Sequence, residues 1–209
     1  MPALFAFLLL SLVALPSQDD GPKPVLSQDP LTAEQIAVYR ATLADYTKGE
    51  DVALNIANVT DPLGGDSELA ESCPKDVAAQ EDVAAQAQPA PTAIVHRMDP
   101  SVALNAKMVL VDPQQQAAIV KKNDPQNVVR KVIDSHEPVS DSDLDKSLNT
   151  AFSTGLFTFS EIIFNKKHTR AILEYSFVCG RLCGHGNIVT LKKVRNHWKV
   201  GKVCGGWIS

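Results

Sequence analysis

Apolar and polar positions divide this chain into stretches of different character. Residues Ala3 to Leu15 form one uncharged apolar run, closed by Pro16 and Ser17 and followed by polar sequence. From Leu31 the period becomes helical: Ile36, Tyr39, Leu43 and Tyr46 recur on one stripe. Thr32 stands at the N-cap with Gln35 in the capping-box position, Leu31 and Ile36 form a hydrophobic staple, and Gly49 ends the run. Residues 52–60 alternate weakly and read as a strand. The middle third holds short apolar runs, Met108 to Val111 and Val128 to Ile133, punctuated by Asp-Pro pairs at 99, 112 and 124. Residues 114–121 read as a short helix. A further helix is expected over 141–153, with Ser140 as its cap and Leu144, Leu148 and Phe152 on one face.

The last third has strand character. Residues 156–164, 170–178, 187–194 and 197–204 are rich in β-branched and aromatic side chains. Asn165 to His168 and Arg195-Asn196 supply turns between them. Alternation places Leu173, Tyr175, Phe177 and Cys179 on one face of the second strand, and Trp198, Val200 and Cys204 on one face of the last. The predicted fold class is α+β: an N-terminal helix and a second helix packed on a C-terminal four-stranded antiparallel meander. The order resembles a cystatin-like or nuclear-transport-factor-like curved sheet, by fold analogy alone.

Composition adds organisation. The opening apolar run is shorter than the ~20 residues of a membrane span and suits a signal peptide over residues 1–17. Residues 18–30 are then a flexible mature N-terminus and 31–209 a single domain of ordinary size. Within it, residues 62–91 read as a poorly ordered Ala/Gln/Pro-rich insertion, built around two copies of Asp-Val-Ala-Ala-Gln. The net charge of −4 conceals an asymmetry, because residues 18–100 carry fifteen acids and five bases and residues 160–209 two acids and nine. Mutual neutralisation of the two ends is the plain reading; a basic face for a polyanionic envelope polymer is the sharper one. No nucleic-acid motif accompanies the bases, so no nucleic-acid partner is expected.

Candidate chemistry gathers around the cysteines. Export places them in an oxidising compartment, periplasmic or extracellular, where four cysteines read as disulfides. Cys179 and Cys183 are close enough in sequence for a small ring, leaving Cys73 and Cys204 as a long-range pair, although three connectivities exist. Gly180 and Gly184 are expected to give that ring backbone freedom and His185 to stay at the surface. Two alternatives use the same residues: a Cys₃His zinc set of Cys179, Cys183, His185 and Cys204, and a Cys183 thiol nucleophile with His185 or His197 as base. No phosphate loop, dinucleotide fingerprint, HExxH or GxSxG occurs, so nothing argues for a cofactor.

The run Cys179-Gly180-Arg181-Leu182-Cys183-Gly184-His185-Gly186, with Trp198-Lys199-Val200 and the terminal Trp207-Ile208-Ser209, resembles a group of exported bacterial proteins of unknown function sharing these three features. The resemblance implies a domain type and an origin rather than a mechanism. The functional expectation is an exported, non-catalytic binding or interaction domain. An enzyme with its site in the hollow of the sheet near the Gly-Cys turn, or a thiol redox protein, are the alternatives.

Overall fold

A computed structural model describes residues 23–63, 93–135 and 140–209. The expected leader, the start of the expected flexible N-terminus, nearly all of the Ala/Gln/Pro-rich insertion and Cys73 lie outside the described residues. Elements run in the order β1 (Val25–Leu26), α1 (Ala33–Tyr46), β2 (Leu54–Ala57), β3 (Ile94–Val95), a 3-10 turn (Pro100–Val102) and β4 (Met108–Val111). Then follow α2 (Pro113–Lys122), α3 (Gln126–Ser135), α4 (Asp141–Thr154), β5 (Leu156–Phe159), β6 (Ile163–Phe164), β7 (Arg170–Gly180), β8 (Cys183–Val194) and β9 (His197–Ile208).

Local chemistry accounts for most boundaries. Thr32 and Gln35 close the capping box of α1: Gln35 N–H donates to Thr32 Oγ1 at 3.2 Å, and Thr32 N–H to Gln35 Oε1 at 2.8 Å. Each Asp-Pro pair opens a helical turn. Asp99 accepts from Ser101 N–H, Asp112 from Gln115 N–H and Asp124 from Gln126 N–H, with the proline as first residue of the turn after Asp99 and Asp112. Ser140 caps α4 through Asp143 N–H. Arg195 and Asn196 both take positive φ, the backbone of a type I′ turn joining two twisted strands.

The α+β class is as expected, but the sheet is larger than a four-stranded meander, and it is mixed. Among the described residues it has seven strands, in the order β4-β2-β5-β7-β8-β9, with β6 beside β7. The antiparallel portion is C-terminal, but the expected first strand over 156–164 is broken into β5 and β6, and β8 begins at Cys183 rather than at Asn187. On the other edge of β5 the chain adds β2 and then β4 in parallel. Of the two apolar runs of the middle third, Met108–Val111 is the parallel edge strand β4, whereas Val128–Ile133 lies within helix α3.

One face of the sheet carries the main core. Phe157 and Phe159 of β5, Leu173 and Tyr175 of β7, Val189 and Leu191 of β8, and Trp198 of β9 meet Val38, Tyr39 and Leu43 of α1. The opposite face holds a small apolar patch of Ile172 and Ile188, with Leu63, Ile163 and Cys204. Cys204 thus does not share a face with Trp198 and Val200. Two register shifts between β8 and β9 fall at Gly201 and at Cys204, and each added residue inverts the alternation. Val200 is half-buried rather than buried. In α4 only Ala151 is buried; Leu144 and Phe152 face outward, so that helix packs through a narrower contact than its pattern indicates.

The two ends of the chain do neutralise one another at one point. Glu34 of α1 accepts from Lys193 Nζ at 2.6 Å and lies 2.7 Å from His168 Nδ1. Desolvation pushes its carboxyl up, but the hydrogen bonds and charges of Lys193 and His168 outweigh it and hold the pKa below the ordinary 4.5. A carboxylate with a depressed folded pKa stabilises above its unfolded pKa and loses that contribution as pH falls through the folded value. Glu34→Gln should therefore cost about 0.5–1 kcal/mol at pH 7. The difference in urea midpoint should shrink toward zero below pH 4.5. Equal midpoints at pH 7 would contradict the network.

Candidate functional site

The Gly-Cys segment is a β-hairpin. Gly180 pairs with Cys183 across the two-residue turn Arg181-Leu182, and a bulge lies between Val178 and Gly180. Cys179 and Cys183 stand at disulfide distance, with Cα atoms 5.1 Å apart, and no described cysteine is free. Gly180 and Gly184 do not supply positive φ; among described glycines only Gly49 does. They permit close approach instead. A Cβ on Gly180 would stand 2.8 Å from Asp124 Oδ1, and one on Gly184 3.0 Å from the Phe177 carbonyl oxygen.

His185 is not a surface loop residue. It lies within β8, half-buried, with its ring stacked on Tyr46 at 5.7 Å and 19° and tilted against Phe177 at 6.0 Å. These rings belong to a cleft of about 470 Å³ where the end of α1, the start of β2, α4 and the β7–β8 hairpin converge. Its position follows from the chain. Tyr46 is the last residue of the α1 stripe; Lys48 and Gly49, both at positive φ, then turn the backbone toward β2. Gly155, at the α4–β5 junction, leaves the space into which the Phe177 ring packs. Phe152 stacks on that ring at 6.3 Å and 3°, and is 55% exposed, which makes it the accessible wall.

Tyr46 is held on three sides. Phe157 meets it edge-on at 4.9 Å, Tyr175 edge-on at 5.5 Å, and His185 covers its face. Burial, aided by the neighbouring Tyr175, pushes its phenol up to about 12, so it is a hydrogen-bond donor at any physiological pH. Beside it the Thr47 hydroxyl is buried with no hydrogen-bond partner among the described residues. The cleft therefore combines apolar ring faces with a few polar groups in a volume typical of small-molecule sites.

The remaining sequence candidates do not assemble into one centre. Cys179, Cys183 and His185 lie on the main-core side, whereas Cys204 packs into the patch on the opposite face. Among the described residues no three His, Cys, Asp or Glu side chains group as metal ligands. Cys183 and His197 sit at opposite ends of β8 and β9, separated by ~36 Å at about 3.3 Å per residue. Cys183, held at disulfide distance by a buried Cys179, has no exposed thiolate to offer His185.

Sequence reasoning missed His96. Its Nδ1 lies 3.0 Å from both oxygens of Glu161, its backbone N–H donates to Glu161 Oε1 at 2.9 Å, and the Thr60 hydroxyl donates to the same carboxylate. This cluster satisfies itself internally and ties the segment around β3 to the β5–β6 connection. Its members are 36 to 101 residues apart in sequence, and no local pattern joins them. No described helix is long and apolar enough to cross a membrane. Comparison of the chain with known protein families, curated proteins and solved structures finds no match.

Proposed function

We propose that this chain is an exported, non-catalytic binding domain that receives an aromatic ring in the cleft at the glycine–cysteine hairpin. The observation that carries the reading is the aromatic wall itself. Phe152 presents an open ring face over Phe177, and Tyr46, His185 and the buried Thr47 hydroxyl lie alongside. Stacked or edge-on ring contacts contribute about 0.5–1.5 kcal/mol beyond area burial, so a planar ring entering beside Phe152 would gain on both counts. The leader-like N-terminus and the cysteine pair at disulfide distance support export.

A ligand-observed NMR screen of the purified full chain against indole, benzoate and adenine tests this. At least one ring compound should bind, and Phe152→Ala should weaken it about tenfold, because an exposed side chain can be removed without disturbing the core. Absence of binding by all three, or equal affinity in Phe152→Ala, would overturn the reading.

A further inference from the structure

The face of the sheet opposite the main core carries a second arrangement. Thr158 of β5, Ser176 of β7, Gly186 of β8 and Trp207 of β9 are direct partners in successive strand pairs, so they form one lateral row. The Thr158 and Ser176 hydroxyls are 2.9 Å apart. Gly186 contributes no side chain, and the Trp207 indole lies over it: a Cβ there would stand 2.7 Å from indole Cε2. Gly184 continues the bed, since its Cβ would reach 3.3 Å from indole Cζ3. Two glycines of the Gly-Cys segment thus seat a tryptophan that is 42% exposed.

Beside the indole is a hollow of about 220 Å³ lined by Asp61, Thr158, Ser160, Glu174, Ser176 and Trp207. Its lining combines a flat apolar ring, hydroxyls that both donate and accept, and two carboxylates. Asp61 keeps much of its residue surface in solvent, yet its carboxyl, which accepts from Thr158, is desolvated enough to raise its pKa above 3.8 despite that bond. Two carboxylates disfavour an anionic ligand, and their oxygens together with the remaining hydroxyl lone pairs suit a neutral guest rich in hydroxyl donors.

We infer that this hollow is a saccharide subsite, in which the Trp207 indole takes the C–H face of a sugar ring while Thr158, Ser176 and the Asp61 carboxylate bond its hydroxyls. The indole offers an apolar platform that costs little ordering, because the glycine bed already seats it. Carboxylate acceptors bind hydroxyl donors more strongly than neutral acceptors do. The subsite stands on the opposite face from the aromatic cleft and rests on separate residues.

The test is titration of the purified full chain with chitohexaose, cellohexaose and maltohexaose, read by tryptophan fluorescence and calorimetry. At least one should bind and perturb the emission. Trp207→Ala should lower that affinity at least tenfold and the near-isosteric Thr158→Val several-fold, while Lys122→Ala on α2 leaves it unchanged. Circular dichroism identifies any variant that fails to fold, and Thr158→Val then carries the test. Failure of all three glycans to bind the unmodified chain would overturn the subsite. So would unchanged affinity in the folded variants, or displacement of the bound glycan by choline, which would mark a cation site.

Discussion

Replacing Phe157 with alanine is expected to cost about 3–5 kcal/mol, the range for deleting a large aromatic side chain from a packed core. Phe157 has no solvent exposure and lies on β5, the strand where the parallel and antiparallel halves of the sheet meet. Its backbone neighbours are Ile56 on one side and Phe177 on the other. Its ring touches Tyr46 at 4.9 Å, Phe159 at 5.0 Å and Tyr175 at 5.5 Å, so truncation opens a cavity walled by other rings. Such rings are held by neighbours on several sides and collapse poorly into a void. For a domain of this size the melting temperature should fall by roughly 10 °C. A shift of only a degree or two in thermal denaturation would show that β5 is not the centre of the core. The same variant should loosen the aromatic cleft, because Phe157 backs Tyr46.

Trp198→Ala is expected to fall in the same range, about 3–5 kcal/mol, although Trp198 belongs to the edge strand β9. It is 8% exposed, packs against Phe164 at 5.7 Å, and carries Lys193 Nζ 5.4 Å above its ring. The chain's other tryptophan supplies the contrast. Trp207 is much more exposed and lies outside the main core, so Trp207→Ala should cost far less. Urea midpoints of the two variants should separate clearly. If Trp207→Ala were the more damaging, the assignment of inner and outer faces along β9 would be wrong.

What is legible in the sequence is local. The capping box of α1, the Ser140 cap of α4, the turn at Asn165 to His168 and the Arg195-Asn196 hairpin depend on residues within a few positions of each other, and each is found where expected. What stays hidden is set by pairing at a distance. Strand β2 pairs with β5 on one side, Asn55 opposite Leu156, and with β4 on the other, Leu54 opposite Met108, and nothing in the short run Leu54–Ala57 names either partner. The bulges at Gly201 and Cys204 invert an alternation that looks regular on paper, and they put Cys204 on the other face. Glycines 180, 184 and 186 have the look of flexible turn residues; they are instead positions where Asp124, the Phe177 backbone and Trp207 come too close for a side chain. His185, flanked by two glycines, has the sequence setting of a loop residue, whereas strand β8 carries it onto the face where Tyr46 lies.

The central claim is that the hairpin end of the sheet binds an aromatic ring, and intermolecular nuclear Overhauser effects measure that contact directly. With indole bound to the full chain, cross-peaks are predicted between indole protons and the ring protons of Phe152, Phe177 and His185, three side chains that line the cleft. Cross-peaks from bound indole to other parts of the protein alone, with Phe152 and His185 silent, would contradict it.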